Sequence, residues 1–462
     1  MVLRCAKRLL LVSALILLGC CLSRCTRVSK SENSFHSRWL VETFKSPVDG
    51  YSGSMHTFRE NSPGLSSHGD VVKGDRAPKT TSHDVIFVVK QRNMDELTRI
   101  LHDVSDPTSQ NYGNHLTRDE VINLTSNPES HYEITTYLKA AGATVTLVEH
   151  SKGTITANAP ISTWERMLNT EFYSYSLPSS IVRNKILDVR NTADLHTFLR
   201  TEEYSVPLAL DSHVAYVMNT VQLPQLRSSN IPVIKVIGDD LSSQSSRFSE
   251  ESLVLYPYIT PQVLNNVYNI DDNSGHPRAT QAAYETVGQL FSPQDLTKFQ
   301  TRMGLPIKAV NQSYGNMTAT SAQCKARGYG ICAEGNLDIM YMMGIADTPT
   351  IHWYTDTPMA WYLFALVYAP TPPPLVISMS YGSEERYLSI SEYTTFEESA
   401  KKLGVMGVTV VASAGDDGVS AHPTRYDASK CSYMPTWPAS CPYVISVGAT
   451  QVCSKEVKRG TF

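Results

Sequence analysis

The chain has 462 residues, 40 Lys+Arg against 44 Asp+Glu, a formal net charge of −4, 42% hydrophobic and 18% charged residues. That composition belongs to a globular protein and excludes a collagen, a coiled coil and a largely disordered charged tail. The near-balanced charge gives no general electrostatic attraction to nucleic acid or to an anionic membrane, and the length suggests two or three domains, each able to bury a full core.

Arg4, Lys7 and Arg8 are followed by the apolar run Leu9–Leu22, with small residues Gly19, Cys20, Cys21 and Ser23 as cleavage sites. This predicts a secretory signal over residues 1–25 and no membrane attachment once it is removed. A signal anchor is the rival, although the run falls short of the ~20 apolar residues of a span. Of nine cysteines, Cys5, Cys20, Cys21 and Cys25 lie in or beside this segment. The other five are Cys324, Cys332, Cys431, Cys441 and Cys453, and none makes a Cys-x-x-Cys pair, which argues against zinc. In an oxidising compartment, Cys324–Cys332 and Cys431–Cys441 would each close a short loop; five buried thiols are the alternative. Asn123, Asn311 and Asn316 head glycosylation sequons.

Residues 26–83 are polar, with scattered Ser, Gly and Pro, and read as an irregular leader. From Val85 to Val89 a β-rich apolar run begins a more regular region. Asn93 is placed to cap a helix carrying Met94, Leu97, Leu101 and Val104 on one face. A second helix fits 129–141. Thr144–Val148 and Thr154–Ala157 read as strands around a Lys152-Gly153 turn, a third helix fits 161–168 around Trp164 and Leu168, and Glu171–Tyr175 returns as a strand. This order predicts an α+β, ferredoxin-like unit over about 84–220. Residues 210–255 contain Gln222-Leu-Pro-Gln and Ser242-Ser-Gln-Ser-Ser-Arg-Phe-Ser and read as a junction, with an exposed, cleavable linker over 221–255. A larger α/β pattern fills 256–462. Thr350–Tyr354, Leu375–Ser380, Val408–Ser413 and Tyr443–Val447 are its strong strand candidates. A helix over 393–403 presents Phe396, Ala400 and Leu403 and is expected to end at Gly404. Strand, helix, strand at this spacing predicts a mostly parallel sheet.

The sharpest chemical signal is a pair of acids. Glu334 and Asp338 stand four apart, on one helical face, at the head of an uncharged run from Ile339 to Ala346. A helix apolar all round is expected to be buried, so both acids should be partly desolvated, at least one pKa raised, and a proton shared. That is a general-base arrangement suited to acid pH. The bland alternative is a solvated pair favoured by the helix dipole. The second signal is Val408–Ser413 running into Gly415-Asp-Asp-Gly418. In an open α/β sheet, carboxyl strand ends line the ligand crevice, which puts Asp416 where a functional group is expected, although the same residues also make ordinary turns. Histidines such as His352 have no partner at ligand spacing and fit core or surface roles.

Taken together, these segments resemble the sedolisins, the serine-carboxyl peptidases. The likeness runs from about 85 to 462. In the amino half it is carried by Val85-Ile-Phe-Val-Val, by Val104-Ser-Asp-Pro-Thr-Ser-Gln-Asn-Tyr-Gly-Asn-His-Leu-Thr and by Ala159–Phe172. In the carboxyl half it is carried by Ile259–Ile270, Ala333-Glu-Gly-Asn-Leu-Asp-Ile, Val376-Ile-Ser-Met-Ser-Tyr-Gly, Ala412-Ser-Ala-Gly-Asp and Pro435-Thr-Trp-Pro-Ala-Ser-Cys-Pro-Tyr-Val. The resemblance implies a subtilisin-like α/β peptidase domain behind an inhibitory propeptide. Glu334 would be the general base, Asp338 its orienting partner and Asp416 an oxyanion-hole group that donates when protonated. A glutamate base and a neutral carboxyl donor both suit an acid working pH. The implied partners are a peptide or protein substrate and the chain's own propeptide, in the secretory pathway and then outside the cell or in a lysosome or vacuole.

The departure concerns the nucleophile. The family serine stands in a Gly-Thr-Ser-x-Ser segment, which these 462 residues do not contain, and no serine here has that context. The family's calcium loop also lies past Phe462, so neither a metal nor another cofactor is expected within the chain. Three readings are open: a piece of a longer active peptidase, an inactive short form acting as inhibitor, chaperone or decoy for a related peptidase, or a half completed by another chain.

Overall fold

The computed structural model describes residues 44–45, 54–58, 72–149, 153–176, 197–221 and 259–449, apart from 287, 328, 356–358, 386–387, 421–428 and 430. The expected signal segment, residues 222–258 of the linker, and Cys453 lie outside the described residues. Short strands β1 (Phe44–Lys45), β2 (Ser54–Phe58) and β3 (Val72–Arg76) precede β4 (Ser82–Val89). Helices α1 (Met94–Ser105), α2 (Arg118–Thr125) and α3 (Pro128–Ala140) follow, then β5 (Thr144–Glu149), β6 (Thr154–Pro160) and α4 (Ile161–Leu168). The amino-terminal part closes with β7 (Tyr173–Ser176), β8 (Thr197–Arg200), β9 (Tyr204–Pro207), α5 (Leu208–Asp211) and β10 (Val214–Met218).

Four of these strands form an antiparallel sheet in the order β10-β4-β6-β5. Helical crossovers join β4 to β5 and β6 to β10, which is the expected ferredoxin-like topology. The reason is in the side chains. Val85, Phe87 and Val89 alternate along β4 and meet Ile155 and Ala157 of β6, Ile134 and Leu138 of α3, and Trp164 and Leu168 of α4 in one buried cluster. Burying an aliphatic or Phe side chain of this kind contributes about 1.5–3 kcal/mol. Trp164 keeps its one donor satisfied by giving its indole N–H to the His83 carbonyl at 2.8 Å.

Three expectations need correction here. Part of the supposed leader is structured, since β2 pairs with β9 and β3 pairs with β7. Those partners lie more than 90 residues away, so no local periodicity marks them. The start of the junction is also structured: Val214–Met218 is the β10 edge of the sheet. Asn93 does not cap α1 with its side chain. Its backbone is left-handed (φ 54°), and its amide donates to the Leu124 carbonyl at 2.8 Å instead.

The carboxyl-terminal part contains α6 (Pro261–Tyr268), β11 (Gln281–Glu285), α7 (Pro293–Met303), β12 (Gln312–Tyr314), α8 (Ser321–Ala326), α9 (Ala333–Ile345), β13 (Thr350–Tyr354) and α10 (Met359–Tyr368). It continues with β14 (Val376–Met379), β15 (Ser383–Glu384), α11 (Ile390–Val405), β16 (Thr409–Ser413), β17 (Thr436–Trp437) and β18 (Ile445–Val447). Six strands form a parallel sheet in the order β12-β13-β11-β14-β16-β18. The order turns back at β11, which has later strands on both sides, so its carboxyl end is a topological switch point.

Helix α11 is longer than its apolar spacing indicates. Ser389 and Glu392 form a capping box that starts it, and it passes through Gly404 to end at Val405. The turn is made by Gly407 (φ +87°). Gly404 serves another purpose: a Cβ there would stand 2.7 Å from Leu101 Cδ1 of α1.

That contact belongs to the surface on which the ferredoxin-like unit sits against α10 and α11. Leu97 and Val121 pack on Val405, and Leu116 donates its N–H to the Val405 carbonyl at 2.8 Å. Arg118 donates to the carbonyls of Val367 (3.0 Å) and Thr371 (2.7 Å) at the end of α10. Buried Lys402 donates to Gln91 Oε1 (3.0 Å) and to the Tyr368 hydroxyl (2.8 Å), and Tyr216 hydrogen-bonds Thr395.

Candidate active site

Three strands and one helix converge at the carboxyl end of the parallel sheet. Glu285 ends β11, Ser380 and Tyr381 follow β14, Asp416 follows β16, and α9 begins beside them with Glu334 and Asp338. The start of α9 is fixed by several contacts. A 3-10 turn, Tyr329–Cys332, leads into it, and Cys332 is disulfide-bonded to Cys324. Leu290 donates its N–H to the Ile331 carbonyl at 2.8 Å, Glu334 its N–H to Gln289 Oε1 at 3.2 Å, and Ser292 its N–H to Asn336 Oδ1 at 2.8 Å. The loop after β11 approaches so closely that a Cβ on Gly335 would stand 2.8 Å from the Leu290 carbonyl oxygen. The residue beside Glu334 is therefore small for a steric reason. Helix α9 is less enclosed than its apolar run predicts: Ile339 is fully buried, but Leu337 is 49% exposed and Met340–Met343 are half-buried.

The acids are held away from water and against each other. Glu334 is pushed up to about 7, first by burial, then by the charges of Asp338 and Asp416 and a hydrogen bond with Asp338. Burial raises Asp338 to about 6, and hydrogen bonds from Ser380, Glu334 and Glu285 pull against that rise. The Ser380 hydroxyl donates to Asp338 Oδ2 at 2.7 Å. Glu285 is fully buried, and burial together with the Asp338 charge holds its carboxyl well above the usual range. The Tyr381 hydroxyl donates to Glu285 Oε2 at 2.7 Å. Asp338 thus accepts from three sides, and the three carboxyls are best satisfied when Glu334 and Glu285 are protonated around an Asp338 anion. A proton can then be taken up or given by Glu334 with little movement of heavy atoms.

Glu334, Asp338 and Asp416 are therefore brought together, with Asp416 exposed at the rim and close enough for its charge to act on Glu334. Glu285 and Tyr381 are functional candidates that sequence reasoning missed. The signal was available for Glu285, an acid ending a short apolar strand in the manner of Asp416, but its value depends on β11 being the switch strand. Asn123, Asn311 and Asn316 lie elsewhere, all exposed. His352 is a core residue, buried against Phe291, lowered by burial to about 4, with Nδ1 2.8 Å from the Ser313 hydroxyl. Of the two expected disulfides only Cys324–Cys332 forms. Cys431 and Cys441 are free, because Cys441 is packed in the core beneath α11 while Cys431 is exposed. Among the described residues no group of three or more His, Cys, Asp or Glu side chains is arranged to hold a metal ion.

A cluster of carboxyls at the switch point of a subtilisin-like parallel sheet, preceded by a ferredoxin-like unit, defines the fold class of the chain. Comparison with known proteins agrees. The family described as Pro-kumamolisin, activation domain, matches residues 70–223, and the Subtilase family matches residues 329–458. An activation domain of the pro-kumamolisin kind thus precedes a subtilase-like domain, the composition of the sedolisin-type peptidases. Tripeptidyl-peptidase SED2 of Arthroderma otae is 26% identical over 398 residues, covering 79% of this chain and 63% of that protein. Physarolisin of Physarum polycephalum is 26% identical over 383 residues, covering 79% and 59%. Tripeptidyl-peptidase 1 of Mus musculus is 26% identical over 377 residues, covering 79% and 60%. The chain spans about three fifths of the length of the curated relatives it matches.

Proposed function

We propose that this chain is part of an acid-active, serine-type peptidase precursor, with the ferredoxin-like unit as inhibitor and folding aid. The observation that carries this reading is the coupled cluster of Glu334, Asp338 and Glu285 at the switch point. Glu334 is the general base. It takes the hydroxyl proton as the nucleophile's oxygen attacks the scissile carbonyl carbon, and returns it to the leaving amine. Asp338 orients Glu334 and compensates its charge, while Glu285 and Tyr381 hold Asp338 in place from behind. Asp416, at the rim, donates to the developing oxyanion when protonated. The reading requires a serine hydroxyl within reach of Glu334, which the family likeness puts in a Gly-Thr-Ser-x-Ser segment. Calcium, also implied by that likeness, enters none of these steps. Substrates are peptides or proteins, and the setting is the secretory pathway, leading outside the cell or to a lysosome or vacuole.

The test uses a full-length form carrying the serine segment. Lowering the pH to about 4 is expected to cleave the linker between 221 and 255 and release the amino-terminal unit; a precursor that stays intact refutes the reading. A second reading, an inhibitor, chaperone or decoy for a related peptidase, is favoured by one observation: the ferredoxin-like unit has its own closed core and docks through a small apolar cluster and a few polar anchors. On that reading the unit inhibits such a peptidase when added at micromolar concentration, and absence of inhibition eliminates it.

A further inference from the structure

Strand β12 ends the parallel sheet, and all three of its residues are exposed. It pairs with β13 on one side only. A free strand edge offers unpaired N–H and C=O groups to other chains, and proteins blunt such edges with charge, proline or cover. This edge has neither of the first two. From Ala309 to Cys324 the chain carries no charged residue and no proline. The nearest preceding charge, Lys308, is already bound to both carboxylate oxygens of Asp347 at 2.7 Å.

Two sequons flank the strand: Asn311-Gln-Ser313 starts one residue before it and runs into it, and Asn316-Met-Thr318 starts just beyond its end, after Gly315. Both asparagines are exposed. Asn311 uses its side-chain carbonyl to accept the Thr350 N–H at 3.1 Å, an arrangement that a sugar on the amide nitrogen leaves intact. Asn316 sits at φ 52° after Gly315 at φ +89°, on a tight turn that holds it at the surface. The third sequon differs: Asn123 lies on α2 of the other unit, away from any sheet edge.

We propose that Asn311 and Asn316 carry N-linked oligosaccharides and that these shield the β12 edge. In each transfer the amide nitrogen bonds to C1 of an oligosaccharide held on a lipid pyrophosphate. The C1–O bond to pyrophosphate breaks, and the amide loses a proton. At Asn311 the transfer precedes folding, because the Ser313 hydroxyl is engaged by His352 in the finished sheet.

The full chain is secreted from a eukaryotic cell behind an established leader, so that neither residues 1–25 nor the peptidase reading is at stake. Peptide mapping after glycosidase release is expected to find aspartate at 311 and 316. Asparagine at both positions overturns the proposal. Glycosidase treatment of the folded glycoprotein is then followed by size-exclusion chromatography. Stripped protein is expected to move to higher-mass species, and a Gln312→Lys variant, stripped in the same way, to elute as the untreated protein does. Stripped wild-type protein that elutes unchanged overturns the shielding.

Discussion

Helices α9 and α11 pack on opposite faces of the parallel sheet, and both bury carboxyl groups, but they treat them in opposite ways. On α11 each acid has its own donor or counter-charge. Ser389 caps Glu392 through its hydroxyl and N–H, Glu397 pairs with Lys401 at 2.7 Å, and Lys402 faces Glu398. Burial still raises Glu392 and Glu398, yet these partners oppose the rise. On α9 the partners of Glu334 and Asp338 are other acids, and the only hydroxyl donor to Asp338 is one serine among the described residues. An acid that maintains structure is neutralised from outside. An acid poised to move a proton is left to share it.

The comparison can be broken most directly at Glu334. In a peptide-cleaving full-length form, Glu334→Gln is expected to lower hydrolysis about 10²–10⁴-fold, the usual weight of a general base, whereas Glu397→Gln on α11 leaves the rate unchanged. Equal rates for the two variants would end the distinction. Next comes the pH dependence of folding. The folded Glu334 pKa of about 7 stands above an unfolded value of about 4.3, so the fold favours the neutral form. Its stabilisation is complete below pH ~4.3 and is lost as pH rises through ~7. Urea unfolding across that window should show the fall, and Glu334→Gln should flatten it. A smaller effect is expected at Gly335→Ala. The added methyl meets the Leu290 carbonyl, so unfolding should show a loss of about 1–3 kcal/mol together with impaired hydrolysis. The smallest is Ser389→Ala, which removes the α11 cap and should cost about 1 kcal/mol in the same assay with no loss of catalysis.

Much of this contrast could be read before folding. The four-residue spacing of Glu334 and Asp338, and the strand running into Gly415-Asp416, are local patterns and survived intact. Strands β4, β6, β13 and β16 and helices α1, α3, α4 and α11 declare themselves by period, with ends that shift by a few residues. What was hidden depends on long-range pairing. Glu285 matters because β11 is the strand at which the sheet order turns, and a five-residue strand buried throughout has no alternation to announce that. Lys402 reads as an ordinary helical lysine until Gln91, 311 residues earlier, arrives to accept from it. Strands β2 and β3 were invisible for the same reason. Spacing also misled once, for Cys431 and Cys441, where core packing of one sulfur outweighs a short loop.

Gly404 has a consequence for motion. A glycine inside a helix costs about 1 kcal/mol relative to alanine, and here it is tolerated because Leu101 occupies the space above it. Once the ferredoxin-like unit departs, that compensation goes while the cost stays, and the last turn of α11 should fray. Amide hydrogen exchange at Lys402–Val405 would then report, on an undisturbed chain, whether the two halves are engaged.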